Sequence, residues 1–168
     1  MEKIWLKSYA KSVPEEISFE NITLDAALKR SASRFPDKWA LLFQGTSITF
    51  RELDEMVSRF ASALSALGIR PGDRVAMLLP NLVQMVVATY GAFRAGAVAV
   101  MNNPLHTDRE LQYQLNDSGS NLLVSLDLLV PRMIMWMRSY SLTRKSWRPA
   151  SSVFLTLTPA NESKLSLY

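Results

Sequence analysis

The sequence predicts an α/β fold, an incomplete and mostly parallel sheet with flanking helices and a short β-hairpin. Three observations lead there. Capping boxes open helices at Thr49 to Glu52 and Thr107 to Glu110, short apolar runs recur between the helical stretches, and Gly or Pro marks nearly every junction.

At 168 residues, 48% hydrophobic and 20% charged, the chain has room for one domain with a real core. The absence of Cys excludes a disulfide framework and a thiolate zinc site, and is compatible with a reducing cytoplasm. The opening stretch MEKIWLKSYAKSVPEE is broken by Lys and Glu every few positions, so it lacks the apolar run of a secretory signal. Residues 81–101 are apolar and about long enough to span a bilayer, but Arg94, Gln84 and Thr89 lie inside. A central Arg costs roughly 2.5 kcal/mol or more on insertion. The stretch therefore reads as a helix ending before Gly96 and a strand after it, with no transmembrane segment.

The net charge of +4 is unevenly spread. Residues 1–131 carry 13 Lys and Arg against 14 Asp and Glu, whereas the last 37 residues carry 6 against 1. The body has no nucleic-acid-binding charge, and none is expected of the chain as a whole. The one place for a membrane or nucleic-acid alternative is the tail, where Arg138, Arg144, Lys145 and Arg148 lie near Trp136 and Trp147.

Three segments follow from composition and rhythm: a leader at 1–22, a body at 23–131 and a divergent basic tail at 132–168, expected to be poorly ordered. In the body, Thr23 caps a helix with Leu24, Leu28 and Phe35 on one face, ended by Pro36-Asp37. Trp39 to Phe43 and Ser47 to Phe50 read as a hairpin around Gln44-Gly45-Thr46. The Thr49 cap opens a helix carrying Leu53, Val57, Phe60, Leu64 and Leu67 at helical spacing, closed by Gly68. Pro71-Gly72 turns into the strand Val75 to Leu79, which its apolar run marks as buried on both faces. A helix from Pro80-Asn81 through Phe93 leads to a strand at Ala97 to Met101. The Thr107 cap opens a helix with Leu111 and Leu115 inward and Gly119 at its end, and Asn121 to Leu126 is one more strand. Alternation of this kind implies parallel strands joined by right-handed crossovers.

Several stretches stand together in an order that resembles the adenylate-forming enzymes, and within them the bacterial long-chain fatty-acid:CoA ligases. They are Trp5-Leu6-Lys7-Ser8-Tyr9 with Val13-Pro14 and Ile17, Ile48-Thr49-Phe50-Arg51-Glu52-Leu53, Gly72-Asp73-Arg74-Val75-Ala76 with Leu79-Pro80-Asn81, Phe93-Arg94-Ala95-Gly96-Ala97-Val98-Ala99-Val100, Asn103-Pro104-Leu105 with Thr107 and Arg109-Glu110-Leu111, and Asn116-Asp117-Ser118-Gly119. The resemblance covers about residues 3 to 131. It implies the start of the large N-terminal domain of these enzymes, whose reaction joins a fatty acid to ATP as an acyl-adenylate, with magnesium, and passes the acyl group to CoA. It also implies a cytoplasmic enzyme, peripheral to the inner membrane in one version.

The matching motifs carry no chemistry that the residues themselves require. Thr49 and Glu52 cap a helix, Gly72 turns the chain, and Gly96 ends a helix beside a strand. Asn102-Asn103-Pro104 follows a parallel strand, on the side where open α/β sheets bind ligands, and also suits a helix-entry loop. His106 invites a general-base reading because imidazole titrates near neutrality, but the family usually has Tyr there, which implies a packing or hydrogen-bonding position. Glu110 belongs to a cap, and Asp108 complements the helix dipole. No residue is assigned a catalytic, cofactor-binding or metal-binding role.

The family's phosphate loop, approximately SGTTGxPKG, has no counterpart, since Asp117-Ser118-Gly119-Ser120 lacks the Thr pair, the second Gly and the Lys. The expectation is an N-terminal fragment, inactive alone and binding no cofactor, with a frame change or cut near residue 133. Such a cut predicts an unpaired sheet edge and poor solubility. The alternative is a non-catalytic interaction piece that associates with the missing remainder of a split ligase.

Overall fold

The computed structural model describes residues 3–120, 122–126, 129, 154–157 and 165–167. The basic cluster around Trp136 and Trp147, and the junction at Pro131 to Met133, lie outside them. Helix α1 (Leu24–Arg34) begins where the Thr23 side chain accepts from the Ala26 N–H at 3.1 Å. The hairpin strands β1 (Trp39–Phe43) and β2 (Thr46–Thr49) pair antiparallel, with a register shift between Trp39 and Leu41. Then come α2 (Phe50–Ala66), β3 (Arg74–Leu78), α3 (Val83–Arg94), β4 (Val98–Asn102), α4 (Asp108–Ser118) and β5 (Leu122–Leu126).

The main sheet has the order β4-β3-β5 and continues with β6 (Phe154–Leu157) and β7 (Leu165–Leu167). Strands β4, β3, β5 and β6 are parallel, and β7 is antiparallel to β6. The tail reads as poorly ordered and the sheet as left with an unpaired edge, whereas β6 and β7 lie within the tail and β6 pairs with β5. The difference has a local cause: Phe154-Leu155-Thr156-Leu157 is aromatic and β-branched, too short to show a period, and the edge of β5 offers unpaired backbone groups to any extended segment.

Period-two alternation divides the core. Val75 and Met77 of β3 with Leu122 and Val124 of β5 face α2 and α3, joining Val57, Phe60, Leu64 and Ala88 in one cluster. Ala76, Leu78 and Leu123 point the other way, onto Leu111 and Leu115 of α4. Thus α3 covers one face, α4 covers the other, and β3 is buried on both, as its unbroken apolar run predicts. Each fully buried Leu or Val contributes on the order of 1.5–3 kcal/mol.

Helices α2 and α3 approach closely because Gly91 has no side chain. A Cβ there would sit 2.5 Å from Phe60 Cδ1. Gly119 (φ 58°) provides the left-handed residue that stops α4 and aims the chain into β5. On α1 only Leu28 is buried. Leu24 and Phe35, expected on the same inner face, are 58% and 41% exposed. Phe35 lies instead beneath Arg34 and Lys38, at 5.4 and 4.7 Å from its ring centre.

Candidate functional site

Parallel strands deliver their carboxyl ends to one edge. Leu78, Asn102 and Ser125 stand side by side in register there, and Leu79-Pro80-Asn81 and Asn103-Pro104-Leu105 leave the sheet from that level. Because α3 and α4 lie on opposite faces, the connections diverge around β3, which is where doubly wound sheets open a crevice for ligands.

The polar groups at this edge are few and mostly engaged. Asn102 is 4% exposed, and its Nδ2 donates to Val100 O at 2.8 Å, while its Oδ1 has no hydrogen-bond partner among the described residues. Ser125 Oγ donates to Leu78 O over a long 3.4 Å. Asn103 Oδ1 accepts from the Leu105 N–H at 2.9 Å and Asn103 O from the His106 N–H at 3.0 Å. That pattern is the helix-entry turn the sequence suggests for these residues, and it leads directly to the Thr107 cap.

Both capping boxes form. The Thr49 and Thr107 N–H groups donate to Glu52 and Glu110 at 2.8 Å, and the two Thr hydroxyls accept from the N–H groups three residues on. The N–H bonds to the carboxylates, and next the 2.8 Å bonds that the two Thr hydroxyls also donate to them, hold both glutamates below the ordinary 4.5. A carboxylate fixed in that way is a helix cap, not a proton shuttle. Gly72 and Gly96 occupy turns at φ 89° and 75°, consistent with their predicted places.

The densest charged cluster lies elsewhere and was missed as a cluster by sequence reasoning, which met Arg94 as an obstacle to membrane insertion and as one residue of a family motif. Its side chain is 10% exposed. Nε donates to Asp25 Oδ1 at 2.7 Å, one terminal nitrogen to Asp54 O at 2.9 Å and Ser58 Oγ at 2.6 Å, and the other to Asp54 Oδ1 at 2.5 Å. Burial opposes the charge, but the bonds to Asp54 and Asp25 outweigh it and raise Arg94 above its ordinary value. Asp25 is likewise disfavoured by burial, yet Lys29 and Arg94 pull it below 3.8. One guanidinium therefore ties α1, α2 and α3 together. Four of its five N–H donors go to protein acceptors, which suits a structural clamp.

An apolar cavity of about 320 Å³ opens between β1 and the start of α3, lined by Leu41, Leu42, Phe43, Leu82, Val83, Met85 and Val86 with Asn81 as its only polar residue. Among the described residues no group of three or more His, Asp or Glu is placed to hold a metal ion. None of their helices is long and apolar enough to cross a membrane. The arrangement can position neighbouring elements and shelter an apolar group, but no acid, base and nucleophile converge in it.

The profile of a family described as AMP-binding enzyme matches residues 28–152. A long-chain-fatty-acid--CoA ligase of Bacillus subtilis is 42% identical over 133 residues, covering 79% of this chain and 24% of that protein. Its counterpart from Escherichia coli O6:H1 is 44% identical over 126 residues, 74% of this chain and 22% of that one. The chain thus spans about a quarter of the length of these relatives. Among solved structures, a benzoate CoA ligase from Burkholderia xenovorans LB400 superposes with a TM-score of 0.66 at 28% identity, over 81% of this chain and 25% of that one.

Proposed function

This chain belongs to the AMP-binding enzyme family, and from that membership we propose that it supplies the opening scaffold of an ATP-dependent long-chain fatty-acid:CoA ligase. The observation that carries the reading is the 42% identity over 133 residues to a ligase of that name. In the proposed reaction a fatty acid carboxylate displaces pyrophosphate from ATP, giving an acyl-adenylate. The CoA thiol then displaces AMP to give the acyl-CoA. Magnesium, ATP, fatty acid and CoA are the partners of the whole ligase, which works in the cytoplasm and meets its lipid substrate at the inner-membrane surface.

The share of this chain in that reaction is structural. Adenylyl transfer from ATP needs backbone donors and a Lys around the phosphates, and these 168 residues contain no such Ser/Thr/Gly-rich loop. What they do contain is a clamp of three helices, a central strand buried on both faces and a capped helix, α4, that fixes the Asn103–His106 turn at the carboxyl edge of the sheet. The chain alone binds no cofactor productively, and it acts by associating with the rest of a ligase.

Replacing the matched stretch of the Bacillus subtilis ligase by the aligned part of this chain tests the reading. The graft should show fatty-acid-dependent ATP–pyrophosphate exchange within about tenfold of its parent, while the free chain shows none. A soluble, folded graft without exchange contradicts the ligase assignment, and exchange by the free chain contradicts the scaffold role.

A further inference from the structure

We infer that the turn from α1 into β1 is a docking surface for an anionic phospholipid bilayer, with Phe35 and Trp39 entering the headgroup layer beside Arg34 and Lys38. Phe35 follows the last turn of α1, a helix that reaches the core only through Leu28, so its ring stays 41% exposed. The Arg34 guanidinium and the Lys38 ammonium lie over that ring, and among the described residues neither enters an ion pair. The register shift between Trp39 and Leu41 turns Ala40 and Leu41 together onto the core and leaves Trp39 and Leu42 pointing out. Asp37, the one carboxylate from Arg34 to Phe43, is held by Arg51 at 2.7 Å and so does not oppose the two cations.

Charge and apolar surface together choose the partner. Arg34 and Lys38 favour a negative surface, whereas Phe35, Trp39 and Leu42 lose their contact with water only against an apolar phase. A bilayer with anionic headgroups supplies both: aromatic rings settle at headgroup depth, and the long basic side chains reach past them to the phosphates. A freely soluble phosphate would pair with the cations and leave Trp39 and Leu42 wet. In the ligase proposed above, such a surface would hold the enzyme where its fatty acid partitions. The inference rests on the surface itself, however, and not on that reading.

Flotation with vesicles of equimolar phosphatidylglycerol and phosphatidylcholine tests it, on the full chain and on the Bacillus subtilis graft. A basic side chain near anionic lipid contributes about fivefold in affinity, so Arg34→Gln with Lys38→Gln should weaken binding about thirtyfold. The charge-preserving pair Arg34→Lys with Lys38→Arg should keep it, and Trp39→Asp with Leu42→Asp should abolish it. Three results overturn the docking surface: equal binding to phosphatidylcholine alone, binding lost only when Arg144, Lys145 and Arg148 of the tail become Gln, and a dimer that Leu42→Asp dissolves, which makes the occupant a second copy. An active graft whose flotation is indifferent to Arg34 and Lys38 overturns it as well and leaves the ligase reading intact. A graft that floats through those residues but shows no exchange keeps the surface and contradicts the ligase reading.

Discussion

Strands β3 and β1 are both five residues long and, after Arg74 of β3, both apolar, yet one is buried along nearly its whole length and the other holds Trp39 and Leu42 out to solvent. The contrast lies in the partners. β3 has a strand on each side and helices on each face, supplied by segments within about fifty residues of it. Among the described residues β1 has one strand and one covered face. An apolar run thus reports how much cover a strand requires, and of these two strands only β3 has it among the described residues. The leader shows the same shortfall: none of residues 3–22 is buried, and Phe19 is 83% exposed.

The same substitution in the two regions separates them most sharply. Leu64→Ala removes a fully buried side chain from the α2 face and should cost about 4 kcal/mol in denaturant unfolding. Leu42→Ala should change the stability of the free chain by no more than about 0.5 kcal/mol. Equal losses would abolish the distinction between the regions. Arg94→Met comes next, because it takes the guanidinium from both Asp25 and Asp54 and leaves Asp25 only Lys29. We expect a loss of about 3 kcal/mol, at the low end for a buried pair since Asp54 is still 31% exposed. A neutral outcome would make the three-helix clamp ornamental.

Acid should act more gently and through the same clamp. Asp25 is depressed below 3.8 in the folded chain, so its contribution is fully present above that value and is lost as pH falls through the lower folded value. Melting temperature recorded from pH 5 to 2 should therefore fall in the wild type more steeply than in Asp25→Asn, whose curve lacks this term. Parallel curves would show that Asp25 carries none of the acid sensitivity.

Local features were legible in the sequence, and distant ones were not. The two capping boxes, the left-handed Gly119 and the double burial of β3 depend on residues a few positions apart or on one continuous run, and each is present as read. The acceptors of Arg94 are 36, 40 and 69 residues away, beyond the reach of any periodicity. Leu24 and Phe35 fit the helical stripe of α1, but that helix is covered only along the line of Leu28. Strand β6 was unreadable because four residues display no period, and what recruits them is the edge of β5. At the ligand-facing edge the helix-entry role of Asn103 was readable from its place before the Thr107 cap, whereas the buried position of Asn102 depends on packing.

The scaffold role is tested most directly at the residue best suited to contradict it. His106 is the only histidine and stands at the ligand-facing edge, just before α4. In the Bacillus subtilis graft, His106→Ala should leave kcat for acyl-CoA formation within about threefold, because a packing residue contributes little to the barrier. A fall of about a hundredfold or more, the range of a lost general acid or base, would place catalytic chemistry in this stretch and contradict the account.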